Sequence, residues 1–152
     1  MIAAESSIDA ASVSERAATM AGHAGVGVDI VSVRRMADMI ARLGERFAAR
    51  VFALAEIETA PSVPARRAQH FAARFAAKEA VFKLLGTSTA APPWRDVEVV
   101  RTQAGAPLVR LHGRALDLAR ALGLDDITVS MSHEDEYAVA IALATDSKRS
   151  VE

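Results

Sequence analysis

The spacing of the hydrophobic positions changes twice between residues 25 and 43. Across 25–33 apolar residues alternate and then run together, which predicts a largely buried strand with Asp29 in its middle. Across 34–43 the apolar residues recur every third or fourth position, which predicts an amphipathic helix that ends at Gly44. A short second helix is expected over 47–52.

The longest uninterrupted pattern covers 65–85, where good helix formers run without a breaker until a Gly-Thr-Ser-Thr loop begins at Gly86. Phenylalanines gather on one side of this predicted helix and alanines on another. The alanine side permits close approach of a neighbouring backbone. Lys78 falls among the phenylalanines, so it must snorkel or find a buried partner.

Two hairpin patterns and one more helix complete the chain. Strands are expected over 97–102 and 108–112, a helix over 114–122, and strands over 127–132 and 137–144. Helices and hairpins are segregated, which predicts an α+β domain with a mainly antiparallel sheet and a long packed helix.

The amino-acid composition excludes several classes of protein and site. Of the 152 residues, 51% are hydrophobic but many of these are alanine, so the large apolar side chains are few for a core and self-association is expected. The net charge of −1 removes the uniformly basic surface of a nucleic-acid binder. The chain has no cysteine, which excludes disulfides and thiolate metal sites and fits a cytoplasmic protein.

The two ends lack the periodicity of the middle. We interpret 1–24 as a flexible N-terminal extension, because it has neither the basic start nor the apolar stretch of a signal peptide. The domain is expected to cover 25–146, followed by a tail at 147–152. No apolar run reaches the roughly 20 residues that span a bilayer, so no membrane association is expected.

Three charged residues are candidates for chemistry. Asp29 on an apolar strand requires a partner, either an arginine in a structural pair or a cation. Glu79 and Lys83 are four residues apart on one helix face, where they form either a surface ion pair or part of a site. The small-residue loop at Gly86 and Thr87 follows directly, and its amides and hydroxyls could hold a phosphate, although such a loop is also a common helix exit.

A second group of polar residues ends a predicted strand, at Ser132 and His133. A serine-hydrolase site is not expected there, because the Gly-x-Ser-x-Gly elbow is missing. The remaining histidines do not fall at metal-ligand spacing. Asp29, Glu79 and Lys83 beside a small-residue loop are compatible with a Mg²⁺-diphosphate site, since Mg²⁺ takes one or two carboxylates together with waters and phosphate oxygens.

The order of these segments resembles the holo-acyl-carrier-protein synthases, the short class of 4′-phosphopantetheinyl transferases. The resemblance covers about residues 25–145. Its most specific block is Arg-Phe-Ala-Ala-Lys-Glu-Ala at 74–80, and the other matching segments are Gly-Val-Gly-Val-Asp-Ile-Val at 25–31, Leu-Gly-Thr at 85–87, Trp-Arg-Asp-Val-Glu-Val at 94–99, Gly-Ala-Pro at 105–107, Val-Ser-Met-Ser-His at 129–133 and Tyr-Ala-Val-Ala at 137–140.

The resemblance implies a function. Such a protein transfers 4′-phosphopantetheine from coenzyme A to a serine of an apo acyl carrier protein, releases 3′,5′-ADP, and forms a homotrimer with each active site at a subunit boundary. It also implies residue roles: Asp29 and Glu79 as Mg²⁺ ligands, Asp29, Glu79 and Lys83 as catalytic residues, Lys83, Gly86 and Thr87 at the pyrophosphate, Arg74, Ser132 and His133 at the rest of the nucleotide, and Arg34 and Arg35 at the carrier protein.

Two positions depart from the family pattern. Ser32 stands where an acidic residue is usual, and Ser88 stands where a glycine is usual. They leave two other interpretations open: a non-catalytic coenzyme A or carrier-protein binding module on the same scaffold, and a trimeric structural protein in which Glu79 and Lys83 are only an ion pair. Whether the carrier belongs to fatty-acid, polyketide or other biosynthesis is not determined by the sequence.

Overall fold

The computed structural model describes residues 25–87 and 91–146. The expected extension 1–24, the tail 147–152 and Ser88 therefore lie outside the described residues. The elements in chain order are β1 (Gly25–Ser32), α1 (Val33–Val51), α2 (Leu54–Glu58), α3 (Pro64–Leu84), a 3₁₀ turn (Trp94–Asp96), β2 (Val97–Arg101), β3 (Pro107–Leu111), α4 (Gly113–Ala121), β4 (Leu124–His133) and β5 (Tyr137–Asp146).

The strands form two antiparallel sheets. One has three strands in the order β1-β5-β4, and the other is the hairpin of β2 and β3. β5 lies in the centre of the larger sheet, so the first and last strands of the domain pair with each other. The predicted α+β class with a mainly antiparallel sheet is confirmed.

Helix α3 is the centre of the fold, and 11 of its 21 residues are buried. It packs on the inner face of the three-stranded sheet and contacts α1, β2 and β4 as well. β1 comes closest at Gly27, where an added Cβ would overlap the carbonyl oxygen of Ala80 and lie 2.9 Å from its carbonyl carbon. The predicted close approach along the alanine side is therefore confirmed, and it requires glycine on the facing strand.

The predicted break at Gly44 is also confirmed. Helical hydrogen bonding runs from Val33 to Val51, but Gly44 itself has φ 60° and ψ −150°, so the helix is two segments joined at a kink. A residue with a side chain rarely adopts that φ, which explains why glycine occupies the joint.

The prediction of a largely buried β1 is wrong for one of its two faces. Val26, Val28 and Ile30 are 51%, 54% and 64% exposed, because their side chains point away from α3 and no described residue covers that face of the sheet. Within the described residues, no helix is both long and apolar enough to cross a membrane.

Candidate active site

The fold brings Asp29 of β1 next to Lys83 of α3. Lys83 Nζ lies 2.9 Å from Asp29 Oδ1 and also donates a hydrogen bond of 2.9 Å to the carbonyl oxygen of Val28. The Asp29 side chain is 18% exposed and that of Lys83 is 53% exposed. An ammonium group has three N–H donors, so one of them remains without a partner among the described residues.

Glu79 lies one turn before Lys83 and shares its environment with Asp29. Burial raises the pKa of Glu79, the negative charge of Asp29 raises it further, and Lys83 partly offsets both. At Glu79, repulsion from Asp29 therefore outweighs attraction to Lys83. A cation between the two carboxylates would relieve that repulsion.

Asp29 and Glu79 fit a Mg²⁺ site in which the protein supplies only two of the ligands. Within 25–87 and 91–146, no group of three or more potential His, Asp or Glu ligands is assembled. Mg²⁺ is commonly held by one or two carboxylates, with water and substrate phosphate supplying the other oxygens. The excess of negative charge at Glu79 is the observation that favours such an ion.

Gly86 and Thr87 line the same small cavity of about 360 Å³ as Glu79 and Lys83. The main-chain N–H groups of both residues already donate within the helix end. The Gly86 N–H donates to the Lys83 carbonyl at 3.1 Å and the Thr87 N–H to the Phe82 carbonyl at 3.2 Å, which is the Schellman ending of a helix with glycine at positive φ. The Thr87 hydroxyl also donates to Phe82, at 3.1 Å, and is the group that can rotate toward a phosphate.

Arg74 belongs to a different cavity. This second cavity, of about 630 Å³, has walls from α2, α3 and the β2-β3 hairpin and contains no carboxylate. We call it the basic cavity; its charged or ionisable lining residues are Arg66, His70, Arg74, Arg101, Arg110 and His133. Arg74 is only 4% exposed, and its Nε has no hydrogen-bond partner in the part of the chain that the structure describes.

Burial lowers the pKa of Arg74 to about 10, so it stays protonated at neutral pH. His70 behaves in the opposite way: burial and then the charge of Arg74 lower its pKa to about 4, so it is neutral. A buried arginine in a cavity that is lined by further arginines and by no carboxylate is suited to an anion.

Ser132 and His133 end β4 and line an open depression beside the exposed Ile30 and Tyr137. His133 lines the basic cavity as well, whereas Ser132 does not. Of the predicted nucleotide residues, Arg74 and His133 thus lie together, and Lys83, Gly86 and Thr87 lie together elsewhere.

Arg34 and Arg35 are exposed in the first turn of α1. Ser32 is the N-cap of this helix, because its hydroxyl accepts a 3.2 Å hydrogen bond from the Arg35 N–H. The residue that departs from the family pattern therefore has a local role that stabilises the helix start.

Two predicted pairings are different in the structure. Lys83 forms its ion pair with Asp29 and not with Glu79, and the partner of Asp29 is this lysine and not an arginine. Lys78 does find a buried partner, Glu56, at 2.8 Å. Sequence analysis missed Glu56, as well as Arg66, Arg101 and Arg110 of the basic cavity, because a single charged residue carries no periodic signal that distinguishes it from other surface charges.

Comparison with known proteins shows the family of the chain. The family model described as "4'-phosphopantetheinyl transferase superfamily" matches residues 25–142. The chain belongs to this superfamily. A curated holo-[acyl-carrier-protein] synthase of Desulforudis audaxviator is 44% identical over 128 residues, which are 83% of this chain and 95% of that protein.

Solved structures place the chain in the same group of transferases. The Plasmodium yoelii acyl carrier protein synthase with ADP bound has a TM-score of 0.73 and 31% identity, covering 82% of this chain and 96% of that one. The Bacillus anthracis holo-(acyl-carrier-protein) synthase in complex with CoA has a TM-score of 0.68 and 28% identity, covering 84% and 100%. The resemblance to the holo-acyl-carrier-protein synthases is confirmed, and the chain is a transferase of that family.

Proposed function

We propose that this transferase moves 4′-phosphopantetheine from coenzyme A to a serine hydroxyl of an apo acyl carrier protein, with Mg²⁺, and releases 3′,5′-ADP. The observation that carries the proposal is the cluster of Asp29, Glu79 and Lys83 beside Gly86 and Thr87. One lysine together with two carboxylates that could hold Mg²⁺ suits a diphosphate group. Membership of the transferase superfamily supports the reaction class.

In this reaction the serine oxygen forms a bond to the β-phosphorus of coenzyme A, and the bond from that phosphorus to the bridging oxygen of the diphosphate breaks. The serine proton passes to a carboxylate of the site or to water, and 3′,5′-ADP leaves with the bridging oxygen. The protein mainly positions the groups and neutralises charge in such a transfer. Lys83 is held by Asp29 and by the Val28 carbonyl, which leaves its remaining N–H for a phosphate oxygen. The orientation of the Lys83 ammonium group is thus fixed before substrate binds.

Asp29 and Glu79 would hold the Mg²⁺ ion, which when bound supplies positive charge at the diphosphate oxygens. The raised pKa of Glu79 supports this role, since a carboxylate that is disfavoured as an anion gains from a nearby cation. Thr87 would turn its hydroxyl from the helix end toward the same phosphate group.

The basic cavity would receive the 3′-phosphate side of the nucleotide. Arg74 and His133 line it, and the buried Arg74 Nε still has a hydrogen bond to donate. Discrimination of coenzyme A from dephospho-coenzyme A is the expected consequence, because only the former carries the anion that this cavity would bind.

The two clusters would be used by one substrate across a subunit boundary of a homotrimer. The basic cavity and the cavity at Glu79 share no lining residue within one chain. The exposed apolar face of the larger sheet supports association, because exposed patches of this kind usually mark an interface. Its members are Val26, Val28, Ile30, Tyr137, Val139 and Ile141.

Arg34 and Arg35 would dock the acidic carrier protein. Both are exposed at the start of α1, which follows directly from the strand that carries Asp29. Basic residues on a rim mainly raise the association rate and select for an acidic partner.

The test is a transfer assay with apo acyl carrier protein, coenzyme A and Mg²⁺, read by intact-protein mass. The carrier is expected to gain the mass of one phosphopantetheine group, and omission of Mg²⁺ should suppress the gain. Tight binding of coenzyme A with no transfer to any of several carriers would instead support a non-catalytic binding module. Light scattering should give the mass of three chains, and a single-chain mass would contradict the homotrimer.

A further inference from the structure

Outside these clusters, the described residues include a completely buried ion pair. Glu56 of α2 and Lys78 of α3 are both 0% exposed, and Lys78 Nζ lies 2.8 Å from Glu56 Oε2. Taking two charges out of water is costly unless nearly every donor and acceptor is satisfied. Such a pair is informative because a pair of apolar residues would fill the same space without that cost.

Hydrogen bonds from several elements satisfy this pair. The Glu56 carboxylate accepts from the Ala53 N–H at 2.7 Å and from the Val99 N–H at 3.2 Å. The Lys78 ammonium donates to the carbonyl oxygens of Trp94 and Val97. The pair therefore connects α2, α3, the 3₁₀ turn and β2 at one point.

Three of those elements, α2, α3 and β2, are also walls of the basic cavity. α2 contributes Ala55, α3 contributes His70, Ala73 and Arg74, and β2 contributes Val100 and Arg101. The main-chain carbonyl oxygen of Glu56 also has a partner, since it lies 2.8 Å from His70 Nε2. Since burial favours the neutral imidazole, this contact places the His70 proton on Nε2.

The charge of Glu56 also acts on Arg74. Burial lowers the pKa of Arg74, and Glu56 is the negative group that opposes this effect. Lys78 follows Arg74 by one helical turn, so the position of Lys78 determines where that turn of α3 stands relative to β2. A change in the pair is thereby transmitted to two lining residues of the cavity.

We propose that Glu56 and Lys78 are positioning residues of the basic cavity, which hold α2, α3 and β2 at the spacing that places Arg74 and His70 for an anion. The inference rests on the proposed function for the identity of that anion, the 3′-phosphate of coenzyme A. The alternative is that the pair contributes only to folding.

The first experiment compares Glu56→Gln and Lys78→Met with Met36→Ala. Met36 is fully buried in α1 and lines neither cavity, so its truncation destabilises the fold without touching the pair. Each protein is assayed at a temperature where it is folded. For the pair variants, KM for coenzyme A should rise at least tenfold, kcat should change less than threefold, and KM for dephospho-coenzyme A should change less than twofold.

Met36→Ala should leave both KM values within twofold of the unsubstituted protein. If the pair variants lose thermal stability but keep the KM for coenzyme A, or if KM for both substrates rises equally, the positioning role is refuted. Two variants are used so that failure of one to fold still leaves the other to decide.

A second experiment does not depend on transfer activity. The ¹⁵Nε–H signal of Arg74 and the ring signals of His70 are recorded by NMR in the same proteins without ligand. They should move by more than a linewidth in Glu56→Gln and Lys78→Met, and should stay in place in Met36→Ala. Unmoved signals in the pair variants would overturn the proposal even if the transferase is active. Moved signals in a chain that transfers nothing would retain the positioning role and refute the function.

Discussion

A single methyl group at Gly27 should separate β1 from α3. The Cβ of an alanine there would overlap the Ala80 carbonyl oxygen and lie 3.0 Å from the Leu84 amide nitrogen, so it strikes main-chain atoms of a helix. β1 cannot easily yield, because each of its residues is paired with β5. The penalty should therefore reach the upper part of the overpacking range, about 3 kcal/mol.

Gly25→Ala is the matched control on the same strand. Its Cβ would meet only Leu84 Cδ1, at 2.9 Å, which is the end of a side chain that can rotate away. Both substitutions restrict the unfolded chain equally, by about 0.4–1 kcal/mol, so this effect cancels in the comparison. The difference of about 3 kcal/mol corresponds to roughly 10 °C in melting temperature for a domain of this size.

Calorimetry or thermal unfolding followed by circular dichroism measures the difference. Gly27→Ala should also lose transfer activity at temperatures where it is folded, because Asp29 lies two residues along the displaced strand. Melting temperatures of the two variants within about 2 °C of each other would show that the contact between β1 and α3 is not as close as described.

Four further outcomes are expected. Glu79→Gln should reduce kcat by at least 100-fold. Because folding raises the pKa of Glu79, its charged form opposes folding above that pKa, so the variant should be at least as stable as the unsubstituted protein at pH 7. Any such advantage should disappear below about pH 4.5 in urea titrations. Lys83→Met should reduce kcat similarly but cost no more than about 1 kcal/mol in unfolding free energy, since the lysine is half exposed. The depressed pKa of His70 means that stability is full above pH 6.5 and falls toward pH 4, a slope that His70→Gln should reduce in urea titrations across this range. Replacing Arg34 and Arg35 together by glutamate should raise KM for the carrier at least tenfold and leave KM for coenzyme A unchanged; an unaltered carrier KM would place the docking surface elsewhere.

Elements that depend on neighbouring residues were predictable from the sequence. The helix over Pro64–Leu84, the kink at Gly44 and the hairpin of β2 and β3 all agree with the structure within a few residues. Such features follow from spacing along the chain and from the conformational freedom of glycine, both of which are local properties. The order of motifs was sufficient to identify the family.

Tertiary structure alone decided how the charges are paired. Asp29 and Lys83 are 54 residues apart, and Glu56 and Lys78 are 22 apart. Such contacts depend on which face of a helix packs on which strand and at which position along the helix axis. The periodicity of the sequence does not encode that packing. The sequence predicted that Glu79 and Lys83 share one face of a helix. The close approach of β1 at Gly27 instead places Asp29 within ion-pair distance of Lys83.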